Sequence, residues 1–177
     1  TRISFKYLIY NQGKGPGQRF FTGGGLIIPS KNILTESPFT DEDIDGDGSP
    51  GFHHRHFSLS DGTYKIFSEI QYFKKRIKMP VFWGGTIYAE FPLGDSDYGF
   101  TPSQVYEISL MALSGPIKIK TNFIKISSIG LNFSVRHTTE SKWHDIETAN
   151  SKSTSFIPGL SILFMSKLGT FGVNIQK

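Results

Sequence analysis

The sequence predicts an all-β chain, an antiparallel up-and-down β-barrel of the transmembrane kind, complete or partial, forming one domain over residues 1–177. Three observations predict it. Short segments alternate apolar and polar residues, as Leu131, Phe133 and Val135 do against Asn132, Ser134 and Arg136. Successive side chains of a strand point to opposite faces, so each such segment has one apolar and one polar side. The segments are separated by turn residues drawn from 19 Gly and 9 Pro, and many short strands so spaced mean a sandwich or a barrel. Aromatic residues make up 14% of the chain, with 16 Phe, while charged residues at 19% fall below the usual quarter, which argues against disorder.

The elements follow in order. Residues 2–10 put Ile3, Phe5, Tyr7 and Ile9 opposite Arg2, Ser4 and Lys6, and the Gly-rich stretch 11–18 turns. Residues 20–28 are apolar but carry Gly23, Gly24 and Gly25, which predicts a strand that bends or is closely approached. A long polar loop spans 29–51, and 52–60 form a short His-bearing segment. Residues 63–73 set Tyr64, Ile66, Ile70 and Tyr72 against Thr63, Lys65, Glu69 and Gln71, with Phe67 and Ser68 out of pattern. After a basic connection at 74–79, residues 81–91 set Val81, Trp83, Ile87, Ala89 and Phe91 against Thr86, Tyr88 and Glu90. A Gly/Asp/Pro loop at 92–102 leads to 105–113, where Tyr106, Ile108, Leu110 and Ala112 oppose Glu107, Ser109 and Met111. Ser114-Gly115-Pro116 is a tight turn.

Residues 117–123 alternate as a further strand, and 125–129 read as a short connection to the strand at 130–137. A polar loop covers 138–155, then come an apolar strand at 156–165, a turn at 167–169 and a last strand at 170–176. The count is roughly eight to ten strands with no helix. One feature resists this scheme. Long and short connections of a barrel should fall at opposite ends, yet with 114–116 on the short side the loop at 138–155 lands on that side too.

Alternation alone does not tell a core from a lipid-facing surface. In a soluble barrel Lys118, Lys120 and Arg136 would face water; in a membrane barrel they would line a wet lumen, with Leu131, Phe133 and Val135 against acyl chains. Three features favour lipid: aromatics near strand ends (Tyr7, Tyr10, Tyr64, Tyr72, Trp83, Phe91, Tyr106), short turns beside long loops, and the need of any membrane-spanning sheet to close. No apolar run reaches the ~20 residues of a transmembrane helix. No leader is visible and Thr1 lies inside a strand pattern, so the expectation is a processed chain or a fragment.

The text Glu69-Ile70-Gln71-Tyr72-Phe73, then Phe91-Pro92-Leu93-Gly94-Asp95, then Val105-Tyr106-Glu107-Ile108 resembles the transporter-like outer-membrane proteins associated with phenol-degradation pathways. The resemblance runs from Ser68 to Gly115. It implies a barrel in the bacterial outer membrane that passes small, often hydrophobic, compounds. The chain departs from that family in ending on Gln176-Lys177 rather than an aromatic and in being short, both of which point to an incomplete barrel.

Several constellations bear on chemistry. Asp41, Asp43, Asp45 and Asp47 with Gly46 match the opening of a Ca²⁺ loop, but position twelve is Phe52 instead of Glu, and a plain solvated acidic loop is the favoured reading over a bound Ca²⁺. His53, His54 and His56 follow without a spaced carboxylate. With no Cys, thiolate metal sites and Cys nucleophiles are excluded. Ser141, His144 and Asp145 share a loop, and His137 beside a hydroxyl of a neighbouring strand would imitate an outer-membrane lipid hydrolase, but no Gly-x-Ser-x-Gly elbow exists and the chain reads as a non-enzyme. Residues 13–17 lack the Lys-Ser/Thr of a phosphate loop. A dispersed net charge of +4 is a poor footprint for nucleic acid.

The polar face is the better candidate. Arg2, Lys6, Lys65, Glu69, Glu90, Glu107, Lys118, Lys120, Asn132 and Arg136 are the expected lumen-lining residues. The expected function is that of a passive, porin-like channel or transporter for small solutes, with membrane lipids and those solutes as partners and an oligomer within its reach. The alternative is a soluble β-barrel or sandwich that binds a hydrophobic ligand or serves as a structural subunit, with Phe5, Ile66, Ile108, Phe133 and Phe171 as its core.

Overall fold

A computed structural model describes residues 1–12, 15–30, 60–75, 81–115, 119–120, 125–148, 150–166 and 169–176. It is built of β1 (Arg2–Asn11), β2 (Gly17–Ile27), β3 (Lys65–Lys75), β4 (Phe82–Pro92), β5 (Phe100–Thr101), β6 (Val105–Leu113), β7 (Ile119–Lys120), β8 (Lys125–Thr138), β9 (Lys142–Trp143), β10 (Ile146–Glu147), β11 (Ser153–Ser166) and β12 (Gly169–Gln176). No helix occurs among the described residues. Eight strands pair in the order β1-β2-β3-β4-β6-β8-β11-β12, each antiparallel to the next, and β7 adds a short pairing to β8. The chain is therefore an up-and-down antiparallel sheet. No pairing joins β1 to β12 among the described residues.

The register carries one polar and one apolar face across the whole sheet. On one side the row Ile70, Ile87, Ile108, Val135 and Phe156 runs from β3 to β11. On the other, Glu69, Tyr88, Glu107, Arg136 and Ser155 form the adjacent row. β6 shows how burial follows. Tyr106, Ile108, Leu110 and Ala112 are exposed, while Val105, Glu107, Ser109, Met111 and Leu113 are buried or half-buried. The apolar face is thus the open one: Leu131 is 68% exposed and Ile108 53%, whereas Ser134 on the polar face is 8% exposed. Phe5, Ile66, Phe133 and Phe171 are exposed as well, so the residues that a soluble alternative would make its core lie on the outer surface.

Curvature explains the inversion. Arg2 on β1 and Arg136 on β8 stand five strand positions apart, about 24 Å in a flat sheet. Both nonetheless line one cavity of about 370 Å³ with Tyr88, Glu90 and Glu107. The sheet curls with its polar face inward. The glycines of β2 allow it: a Cβ at Gly25 would stand 2.9 Å from the Phe67 ring, and one at Gly23 would stand 2.9 Å from the Glu69 carboxylate. The predicted close approach is found there. Gly25→Leu is accordingly expected to cost on the order of 1–3 kcal/mol by overpacking between β1 and β3. A urea titration in detergent should show a lowered midpoint; an unchanged one would mean that β1 does not pack as described.

Connections segregate by length. Those between β2 and β3, β4 and β6, and β8 and β11 are long and lie at one end; those between β1 and β2, β3 and β4, β6 and β8, and β11 and β12 lie at the other. This removes the conflict left by the sequence, and it corrects two expectations. Residues 125–129 belong to β8 rather than to a connection; of the strand expected at 117–123, Ile119 and Lys120 pair with Ile126 and Lys125, and its other residues lie outside the described ones. β7 lies off the main path of the sheet, beside β8, so β6 and β8 are neighbours, one crossing fewer is made and the parity is restored. The 92–102 and 138–155 loops also hold more order than expected, because β5, β9 and β10 form a separate three-stranded sheet. In it Phe100 and Trp143 are buried against each other with ring centroids 5.0 Å apart. His144 and Asp145, both at positive φ, make the two-residue turn between β9 and β10.

Candidate functional site

The concave face gathers most of the residues that the sequence nominates. Lys6 meets Glu69 at 3.0 Å and donates to Gln71 at 3.2 Å, bridging β1 to β3 across Gly23. Lys65 meets Glu90 at 3.3 Å and also Asp61. The Tyr88 hydroxyl donates to Glu90 at 2.6 Å, and the Ser109 hydroxyl donates to Glu107 at 2.8 Å. Arg136 faces Glu107 across the β6–β8 register, yet forms no hydrogen bond or ion pair among the described residues. Asn132 stands lower on the same face and bonds Ser161 at 2.9 Å and Asn174 at 2.7 Å, tying β8 to β11 and β12. Lys118 lies outside the described residues, and of Lys120 only the backbone pairing with Lys125 is described.

Phe67, which breaks the alternation of its strand, proves to be part of this face. It is 3% exposed, its ring stacks on Tyr88 at 5.8 Å, and the Arg2 guanidinium lies 3.8 Å above it. A guanidinium over a ring face is held by the ring quadrupole without an anion, so Arg2 keeps its N–H edges available. Towards the short-turn end the face changes character. Phe21 meets Phe73 at 6.1 Å and Phe73 stacks on Phe82 at 5.4 Å. These three side chains come from β2, β3 and β4 and point inward with Glu69 and Thr86. Sequence reading missed this aromatic cluster, although Phe73 and Phe82 carry the parity of Gln71 and Thr86.

The outer face has its own order. Tyr72 meets Trp83 edge-on at 5.6 Å near the short-turn end, and Phe91 meets Tyr106 at 5.7 Å near the long-loop end. The eight steps from Trp83 to Phe91 span about 27 Å along the strand at ~3.4 Å each. Between them the face carries Ile66, Ile70, Ile87, Ala89, Ile108 and Leu110.

Asp41, Asp43, Asp45 and Asp47 and the three His that follow lie outside the described residues, and no cluster with metal-ligand spacing occurs among those described. Ser141 is buried while His144 and Asp145 sit exposed in the β9–β10 turn, with no hydrogen bond linking the three among the described residues. His137 Nδ1 lies 2.8 Å from the Thr154 hydroxyl across β8 and β11. Comparison of the chain with protein-family models, with curated proteins and with solved structures finds no match.

Proposed function

We propose that the chain is the wall of a bacterial outer-membrane β-barrel that passes small solutes along its concave polar face. The observation that carries this is the inversion of burial in the central strands: Ile, Leu and Phe cover the exposed convex face, while Glu69, Tyr88, Glu90, Glu107 and Ser134 on the concave face are buried or half-buried. In water such a surface would be a large unpartnered apolar patch. Against lipid it is the expected arrangement, polar inside and apolar outside, with strands alternating between the two. The aromatic pairs at both ends of the apolar band sit where girdles belong, and about 25 Å separates such girdles in membrane barrels. Long connections at one end and short ones at the other accord with outer loops and periplasmic turns. A bilayer further requires closure, because an open sheet edge has no water to satisfy its backbone groups. With eight strands in a meander, β1 and β12 run antiparallel and suit that pairing.

The test is insertion and conduction. The refolded chain should require detergent or lipid to stay dispersed, show a heat-dependent shift in gel mobility, and conduct ions in a planar bilayer. Phe73→Ala should raise single-channel conductance, since it thins the aromatic cluster. A monodisperse chain in plain buffer would overturn the membrane reading.

A further inference from the structure

The two ends of the sheet carry opposite charge. The strand ends and connections at the short-turn end, residues 11–19, 74–82, 113–126 and 166–169, contain ten Lys and Arg and no Asp or Glu. The long connections, residues 28–64, 93–104 and 139–152, contain twelve Asp and Glu against four Lys and Arg. The three acids left are Glu69, Glu90 and Glu107, on the concave face between the ends. Charges dispersed along the sequence are thus gathered by the fold. At the basic end Arg19 donates to the Gly15 carbonyl at 3.1 Å, and neither it nor Lys74 nor Lys75 forms an ion pair among the described residues. The register also sets Lys120 opposite Lys125. Like charges facing one another across a ladder repel, a cost that an external anion would relieve.

We propose that the short-turn end is a docking collar for anionic phospholipid headgroups, with Lys74 as its contact on the lipid side; this deepens the membrane reading and rests on it. Lys74 stands opposite Trp83 in the β3–β4 register and shares the convex parity of Ile70 and Tyr72. It lies two residues beyond Tyr72 towards the turn, about 7 Å at ~3.4 Å per residue. The headgroup layer of a bilayer is about 5–7 Å deep on each side, so a lysine at that height has passed the apolar band and reaches phosphate. Lys74 is half-buried, and a lysine at an interface lays its stem along apolar surface while the ammonium extends into the polar layer. Lys75 is exposed and has the inward parity of Phe73, so the positive charge is shared between the lipid side and the concave side. The partner is lipid rather than a soluble polyanion because the basic end continues the apolar band through the Tyr72–Trp83 pair. Zwitterionic headgroups offer no net charge, whereas an anionic leaflet attracts each nearby Lys or Arg. The same leaflet repels the acidic end, so the charge polarity also sets which end faces it.

The test folds the whole chain into phosphatidylcholine vesicles that carry a minor tracer brominated high on its acyl chains, either phosphatidylglycerol or phosphatidylcholine. Bromine quenches an indole only at close range, so Trp83 reports the lipid beside Lys74, and Trp143 in the loop cap at the opposite end gives a constant background. The phosphatidylglycerol tracer should associate roughly fivefold more strongly than the phosphatidylcholine one, the effect of one Lys near an anionic surface. High salt should weaken that preference. Lys74→Gln should bring it close to unity while the heat-dependent gel shift persists, and Lys74→Arg should keep it. Equal quenching by the two tracers, or an undiminished preference in Lys74→Gln, would overturn the collar and leave the membrane reading standing, because Trp83 would still meet lipid. No quenching by either tracer would remove both.

Discussion

Ile108→Arg is expected to cost about 2–4 kcal/mol of folding free energy in a bilayer, while Ser109→Arg, one residue along, costs no more than the roughly 1 kcal/mol of a lost hydroxyl bond. Ile108 is 53% exposed at the centre of the apolar row Ile70, Ile87, Ile108, Val135 and Phe156, so in a membrane barrel its side chain meets acyl chains near the midplane. An arginine there has no partner on the lipid side. Ser109 points into the cavity beside Glu107, where a new guanidinium finds a carboxylate. The measurement is a urea titration of both variants folded into vesicles, with the heat-dependent gel shift as a check on closure. The pair separates the readings sharply. If the convex face met water, Ile108→Arg would fall within about 0.5 kcal/mol, as exposed substitutions do. A neutral Ile108→Arg would therefore remove the lipid-facing assignment, and a disruptive Ser109→Arg would remove the wet interior.

Much of this arrangement is written in the strands themselves. The period of two by itself places Glu107 and Ile108 on opposite faces, and the same parity sorts Lys65 from Ile66 and Arg136 from Val135. What alternation lacks is curvature. Which face curls inward depends on strand pairing and on the room left by Gly23 and Gly25, and those are tertiary facts, although the glycine run itself advertises a close approach. Phe67 looked like a defect of pattern because an inward ring has no reason to exist until Arg2 is placed over it from two strands away. The segment 117–123 misled for a different reason. Its residues alternate as well as any strand, but Ile119 and Lys120 pair off the main path of the sheet while β6 pairs directly with β8, and a full crossing there would have put a long loop at the wrong end. The cap strands β5, β9 and β10 were hidden because two-residue strands carry no period. Trp143 in an otherwise polar loop was the signal available, since a large ring seldom stands alone in water.

That ring supports the second large effect. Trp143→Ala is expected to remove about 3–5 kcal/mol of packing from the loop cap, by analogy with buried aromatic truncations. The loss should stay local. Trp143 is buried against Phe100 at 5.0 Å, and the β5–β9–β10 sheet is held to itself by few bonds, among them Ser96 N–H to the Phe100 carbonyl at 2.8 Å and His144 N–H to the Gly99 carbonyl at 2.8 Å. The eight-stranded sheet shares no ladder with it. Limited proteolysis should thus cut within 93–104 and 139–152 far faster in the variant, while the heat-dependent gel shift of the sheet persists; Trp143→Phe, which keeps a ring against Phe100, should restore protection. Unchanged cleavage would mean that the cap is not held by this contact. The variant has a further use. The chain contains 2 Trp, so removing Trp143 leaves Trp83 as the sole indole. Trp83 is exposed on the convex face beside Tyr72, at the end of the apolar band where an interfacial girdle would lie. Its emission in vesicles should then be quenched most strongly by lipids brominated near the headgroup, and weakly by those brominated at the chain ends. Quenching by aqueous iodide alone would place Trp83 in water and take the convex face out of the membrane.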